Sequence, residues 1–407
     1  MVPSLQGQKA YQWIASLYFF QSIPFVVVSL IATIMYQQQG MANSKAALLT
    51  SLLMLPWSLK PLFAPYLEHI STKKRLTIVT QLLASIVFFI LALSVNKHYF
   101  LMVSILGFAC LAVISSLHDI VSDGVYLLNL DKHSQKRYVA FRSFFYQMGR
   151  LVIKGGLLAV LGQLAIYYNM NLWSAFFYAL FLMAMVLTIY HSKKIPEIER
   201  VSQASKNYCV VFKALKASQQ FYPALIFIFL YNVSDAQMQK IIPLFLLDKT
   251  GLELSIARVS EIYGISGSLA LMIGVFVSGL IISRYPIAAC MKKLTIFLLL
   301  GHFMFIFLIY FEPSQVVIYC VILASQFVVG MTNGAYMGYL LSIANQSNYP
   351  MSMYTLCVSA MALSYVFFGA ISGWIEEQLG YSNFFLYILL VNSLLVMMTY
   401  RMMNRHG

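Results

Sequence analysis

The sequence predicts an all-α integral membrane protein with twelve transmembrane helices arranged as two pseudo-symmetric halves of six. Three observations predict it. Of 407 residues, 60% are hydrophobic and only 10% are charged, with a mean hydropathy of +0.77; a soluble chain of this length needs far more polar residues to cover its surface. Apolar segments near the roughly 20 residues that a helix needs to cross a hydrocarbon core recur from end to end. The short loops between them alternate between basic and nearly neutral, the pattern that orients membrane helices.

Taken in order, the apolar segments centre near Phe20, Met54, Ile86, Ile105, Val152, Phe181, Phe227, Leu271, Leu298, Ser325, Met361 and Leu390. The first is too long for a cleaved leader and lacks a small-residue cleavage site, so it is read as span 1. Lys73, Lys74 and Arg75 follow span 2, and Lys132, Lys136 and Arg137 follow span 4. Lys193, Lys194, Arg200, Lys206, Lys213 and Lys216 follow span 6; Arg284, Lys292 and Lys293 follow span 8; Arg401 and Arg405 come after span 12. The intervening loops carry Lys45, Lys97, Lys249, Asp248, Glu312, Glu376 and Glu377. Both termini are therefore expected in the cytoplasm. The long polar stretch within 191–218 is expected to be a cytoplasmic linker between the halves 1–190 and 219–407, with lipid-headgroup binding secondary. Weak internal similarity supports two halves: Gly40 and Gly251 hold matching places after spans 1 and 7, and Pro24 falls opposite Asp235.

The net charge of +14 lies mainly in alternate loops, which argues against a nucleic-acid partner. The five cysteines show no CxxC spacing, and Cys110, Cys320 and Cys357 lie within apolar spans, so neither a metal site nor a disulfide framework is expected. P-loop, HExxH and GxSxG patterns are absent, so no catalytic site and no cofactor are expected.

The segment from Ser116 to Gly124 places His118, Asp119 and Asp123 inside the apolar run 99–130. Ionisable groups at that depth are costly and persist mainly where they face a protein interior or a wet cavity. Asp119 and Asp123 share a helix face, as do Arg150 and Lys154. At ~1.5 Å of rise per residue, Asp119 lies level with Arg150, and Asp123 and Arg142 both lie nearer the cytoplasm. A paired ladder between spans 4 and 5 is expected. It reads either as internal salt bridges or as a proton-exchange site with Asp119 first and Asp123 second; His118 is read as a hydrogen-bonded core residue. In the second half, Asp235 near mid-depth is a candidate for solute or proton binding, while Lys240, Arg258 and Glu261 are read as an outer gate or structural pair. The six bases Lys60, Arg142, Arg150, Lys154, Lys240 and Arg258 exceed the four acids Asp119, Asp123, Asp235 and Glu261 by two. Surplus buried cations favour an anionic solute, with Arg150 and Lys154 as its clamp; Lys60 either joins a salt bridge or snorkels to the interface.

Several short segments carry a family resemblance: Phe20 to Pro24 in span 1, Trp57 to Pro65 at the end of span 2, His118 to Gly124 in span 4, Tyr231 to Asp235 in span 7, Gly330 to Ala335 in span 10 and Gly369 to Trp374 in span 11. With them the chain resembles the major facilitator superfamily, and within it the AmpG-like permeases in an HDIxxDG variant. The superfamily's loop motif after span 2 is degenerate, with Glu68 and His69 in the acidic region. The resemblance implies alternating access around a midplane cavity between the halves, lined by spans 1, 7 and 10. Tyr18, Gln21, Tyr231, Asn232, Asn333 and Tyr336 are then expected to line it. It also implies proton-coupled solute import by a monomer in an inner membrane. Relatives include muropeptide, acetyl-CoA and siderophore carriers. A muropeptide-type sugar-peptide is the leading solute and a carboxylate-rich ferric siderophore the alternative. Drug efflux is the third reading; span 5 lacks the antiporter proline, and the cationic surplus disfavours it.

Overall fold

The computed structural model describes residues 10–63, 67, 71–130, 132–197, 221–311, 313–346 and 350–405. Among these the chain is helical without strands, and the twelve expected spans are present. Spans 1 to 6 are Ala10–Gln38, Asn43–Phe63, Lys73–Ser94, Phe100–Tyr126, Phe141–Tyr168 and Leu172–Lys194; spans 8 to 10 are Ile256–Arg284, Ile287–Tyr310 and Gln315–Ala344. Span 7 is broken at Asn232 into Phe221–Tyr231 and Val233–Leu247. Spans 11 and 12 run on within Met353–Asn404 and part at Gly380, whose φ of +70° admits a sharp turn that a side chain would strain.

Local chemistry sets several starts. The side chains of Thr72, Asn171, Ser255 and Ser314 each accept from a backbone N–H in the first turn of the following helix. Pro24 has no N–H to give Phe20 within span 1, and the helix widens to a π turn at Val27–Ile31 just beyond it. Span 5 widens likewise at Val152–Leu157, against the span 1 turn, and span 8 at Ser260–Ser266. Span 3 shows how the bilayer inverts the soluble pattern. Leu82, Leu83, Ile86, Phe89, Ile90 and Leu93 are exposed, whereas Thr77, Thr80, Gln81 and Ser85 are buried against the neighbouring helices. Without a hydrophobic drive between helices in lipid, close packing and hydrogen bonds hold these contacts.

By packing, the chain forms two compact units: residues Met1–Met35 with Leu59–Ala204, and residues Tyr36–Ser58 with Ser205–Gly407. In the first unit, span 1 packs on spans 4 and 5, and span 3 on spans 4 and 6. In the second, span 8 packs on span 10, span 9 on spans 10 and 12, and the start of span 2 on span 11. Glu68, His69, Arg200, Lys206, Lys213, Lys216 and most of the expected linker lie outside the described residues. Span 6 continues through Lys194, so His191, expected in the linker, is instead buried in the helix.

Candidate functional site

In the first unit the charges of spans 2, 4 and 5 converge. Asp119 is 6% exposed and forms an ion pair with Lys60 from the end of span 2. The expected partner was Arg150. Matching residues by helix rise alone neglects the four-carbon stem of lysine, which carries its ammonium well away from its own Cα. The second Asp119 oxygen has no hydrogen bond among the described residues, and the Gln21 side chain lies beside this carboxylate. The other rung of the expected ladder forms: Arg142 Nη1 is 3.3 Å from Asp123 Oδ1. Tyr18 joins them. Its hydroxyl donates to Asp123 at 2.9 Å and accepts from Arg142 at 3.1 Å, and the guanidinium lies over the Tyr18 and Tyr126 rings at 4.8 and 5.1 Å. Asp123 is the open member of the cluster, with 45% of its side chain exposed.

Arg150 sits apart from these pairs. Among the described residues its guanidinium makes one hydrogen bond, 3.4 Å to the neutral Gln147, and lies 5.8 Å from the Phe25 ring centre; its Nε is buried and unbonded. Lys154 is buried in the π turn of the same span, within electrostatic reach of Arg150. Tyr146 senses both Arg150 and Asp119, so the three belong to one neighbourhood. Close packing of spans 1 and 5 fixes it: a Cβ on Gly149 would meet Ser22 Oγ at 2.1 Å and the Phe19 carbonyl oxygen at 2.6 Å.

In the second unit Asp235 is buried and accepts from Tyr365 at 2.6 Å and Gln239 at 3.0 Å, both on its Oδ2; its Oδ1 is unbonded among the described residues. Its described partners are neutral. Close to the break in span 7 just before it, the Ile228 carbonyl accepts from Tyr336 at 2.8 Å. Asn232 donates to the same phenolic oxygen at 3.0 Å, and the Tyr231 and Tyr336 rings stack 4.7 Å apart, 8° from parallel. Tyr18, Tyr231, Asn232 and Tyr336, expected to face a cavity, are thus buried and bonded within their own units. A broken helix and a buried charge need local donors, and these side chains supply them. Gln21 and Asn333 differ: the Gln21 carbonyl oxygen is unbonded and Asn333, half-buried, makes no side-chain hydrogen bond, both among the described residues.

Lys240 does not join Arg258 and Glu261. Those two lie three apart on span 8 and pair at 2.7 Å, with Tyr319 donating to Glu261 and Arg258 donating to Gln315, both at 2.6 Å. Lys240 donates to Thr50 of span 2 at 2.9 Å. His118 is the expected core histidine, but its network extends further than the sequence suggested. Gln81 contacts His118 at 3.0 Å and His191 at 2.9 Å, and His191 contacts Ser16 at 2.9 Å, tying spans 1, 3, 4 and 6. A glutamine inside the apolar run of span 3, as Gln81 is, was the available signal. No cluster of His, Cys, Asp and Glu suited to a metal occurs among the described residues.

Two groups of membrane-crossing helices, with buried charge on spans 4, 5 and 7, define a polytopic carrier. Residues 13–362 match the Major Facilitator Superfamily, and the chain belongs to that family of membrane transporters. It is similar to the protein named AmpG 1 of Rickettsia bellii, 27% identical over 372 residues covering 86% of this chain and 88% of that one. Its fold is similar to that of a D-xylose–proton symporter (TM-score 0.74, 12% identity, 97% of each chain). It is also similar to that of the nucleoside transporter NupG (TM-score 0.72, 14% identity, 96% of this chain and 98% of the other).

Proposed function

We propose that the protein is a proton-coupled importer of a polar, anionic solute across an inner membrane, working as a monomer by alternating access with both termini in the cytoplasm. The solute class is a sugar-peptide of the muropeptide type. The observation that carries the anionic preference is Arg150, a half-buried guanidinium that, among the described residues, has an unbonded Nε and a single weak hydrogen bond to a neutral amide. Such a fork in a low-dielectric setting favours a carboxylate or phosphate guest. Lys154 supplies a second positive charge four residues on, and Gln21 and Asn333 offer neutral hydrogen bonds.

Proton coupling is assigned to Asp119. Among the described residues Lys60 is the cation that pairs with it, so movement of span 2 relative to span 4 would leave a buried carboxylate without its cation, a state that favours protonation. Asp123 exchanges next, through the Tyr18 and Arg142 cluster, and Asp235 is a further solute- or proton-binding group. The similarity to proteins named AmpG supports the sugar-peptide class. A carboxylate-rich ferric siderophore suits the same positive charge.

Uptake in a deletion strain decides between them, with labelled muropeptide and ferric siderophore offered in parallel. Muropeptide uptake is expected to disappear and siderophore uptake to remain. Loss of siderophore uptake alone would make the protein an iron importer.

A further inference from the structure

Where span 2 begins and span 7 ends, the second unit holds a cluster that the transport reading leaves unused. Asn43, at the start of span 2, places its amide nitrogen 3.1 Å from Asp248 Oδ2, 3.0 Å from Glu376 Oε2 and 2.9 Å from the Tyr381 phenolic oxygen. The Tyr381 hydroxyl also reaches Asp248 Oδ2 at 3.1 Å. An amide carries two donor hydrogens and a phenol one, so four contacts share three hydrogens. One donor is missing, and two carboxylates share one amide.

The cluster sits where two helices interlock. A Cβ on Gly373 would lie 2.5 Å from the Asn43 carbonyl oxygen and 2.7 Å from Ser44 Cα, and one on Gly369 would lie 2.7 Å from Ser51 Oγ. Residues 43–52 are therefore held in backbone contact with span 11, although in chain order they belong to the first six spans. A partly open cavity of about 500 Å³ lies alongside, lined by Phe245, Thr250, Gly251, Glu376, Tyr381 and Asn383 among others. It gives water a path to Glu376.

The surrounding charges leave the two carboxylates to each other. Asp248 also accepts from Thr250 N–H and Oγ–H, each at 3.0 Å. Burial pushes its carboxyl up, but the donors from Thr250, Asn43 and Tyr381 outweigh burial and hold it below the ordinary value of 3.8. Asp248 is thus the standing anion. Glu377 accepts from Ser44 N–H at 2.8 Å. Lys45, Lys249 and Glu253 are exposed, and Lys240 lies deeper, bonded to Thr50. Among the described residues no cation lies within 4.0 Å of either Asp248 or Glu376, the separation that defines a salt bridge.

We propose that Glu376 is the switch of a proton-operated latch: a proton arriving through the cavity holds residues 43–52 against span 11, and its loss releases them. The proton adds one O–H donor to the cluster and removes one of two adjacent negative charges. Its departure restores the repulsion between Glu376 and Asp248. The inference rests on the proton-coupled reading, because a symporter gains from closing this face only after a proton has loaded from it.

Spin-label distances between Ala42→Cys and Lys249→Cys, both exposed positions, test the latch in the full-length protein in lipid nanodiscs, with the five native cysteines replaced by serine and no solute present. A short distance should dominate near about pH 5, and the long-distance fraction should rise about tenfold toward about pH 8. Glu376→Gln should keep the short distance at both. A parent distribution that does not move with pH, or a shift that persists in Glu376→Gln, would overturn the proposal. If that variant does not fold, Asp248→Asn is expected to hold the short distance likewise, and a shift that persists in it refutes the latch. Because the readout needs no solute, a failed uptake assay and a failed latch are separate results.

Discussion

At the scale of single residues, the ion pairs decide which charges are committed and which remain for a guest. Lys60 neutralises Asp119, and Arg142 neutralises Asp123, which among the described residues leaves Arg150 with Gln147 and the face of Phe25. A hydrogen bond to a charged group contributes about 1.5–3 kcal/mol. Arg150→Gln should therefore raise the apparent KM for an anionic solute about tenfold or more. The maximal rate should change far less, because the fork binds the solute before and during translocation alike. Initial-rate uptake over a range of solute concentrations checks this, and an unchanged KM would remove Arg150 from the site. The sequence placed each of these charges inside the membrane. It mispaired Asp119, because helix rise gives the depth of a Cα and not the reach of a lysine.

At the scale of elements, glycine decides how closely helices approach. Spans 8 and 10 meet through reciprocal contacts: a Cβ on Gly274 would lie 2.1 Å from the Phe327 carbonyl oxygen, and one on Gly330 would lie 2.1 Å from the Leu271 carbonyl oxygen. Both obstacles are backbone and cannot swing aside, so even alanine must force the helices apart. Gly330→Ala is expected to cost about 1–3 kcal/mol and to lower the unfolding temperature in detergent. Gly156, whose added Cβ meets nothing within 4 Å, should accept alanine at little cost, and equal melting of the two variants would contradict the packing argument. In glycine-rich span 5 the close contact falls at Gly149. Which glycine of a run touches a neighbour depends on a rotation about the helix axis that composition does not encode. The break in span 7 was likewise invisible in hydropathy, since Tyr231 and Asn232 interrupt an apolar run without a proline or glycine. It shows in the partner that the Ile228 carbonyl and the Asn232 amide share in Tyr336.

At the scale of the whole molecule, transport by an ion gradient makes a direct prediction. Protein reconstituted in liposomes should accumulate solute against its gradient when the lumen is alkaline, and a protonophore should abolish that accumulation. Asp119→Asn should lose accumulation while retaining solute exchange at equal concentrations on the two sides. Accumulation that survives the protonophore would remove proton coupling from Asp119 and from the protein as a whole.

The sequence by itself determined the solvent, the number of crossings and the charges buried in them, because a bilayer demands long uninterrupted apolar helices and penalises every exception. Family membership was legible for the same reason: its short polar motifs stand out against an apolar background. Tertiary structure alone decided the partners. Lys60 with Asp119, Gln81 between His118 and His191, and Asn43 between Asp248 and Glu376 join residues 37 to 333 positions apart. Such contacts depend on side-chain reach and on the rotation of each helix about its axis. The assignment of residues 36–58 to the second unit is of the same kind, since chain order says which helices are neighbours in sequence but not which will pack together.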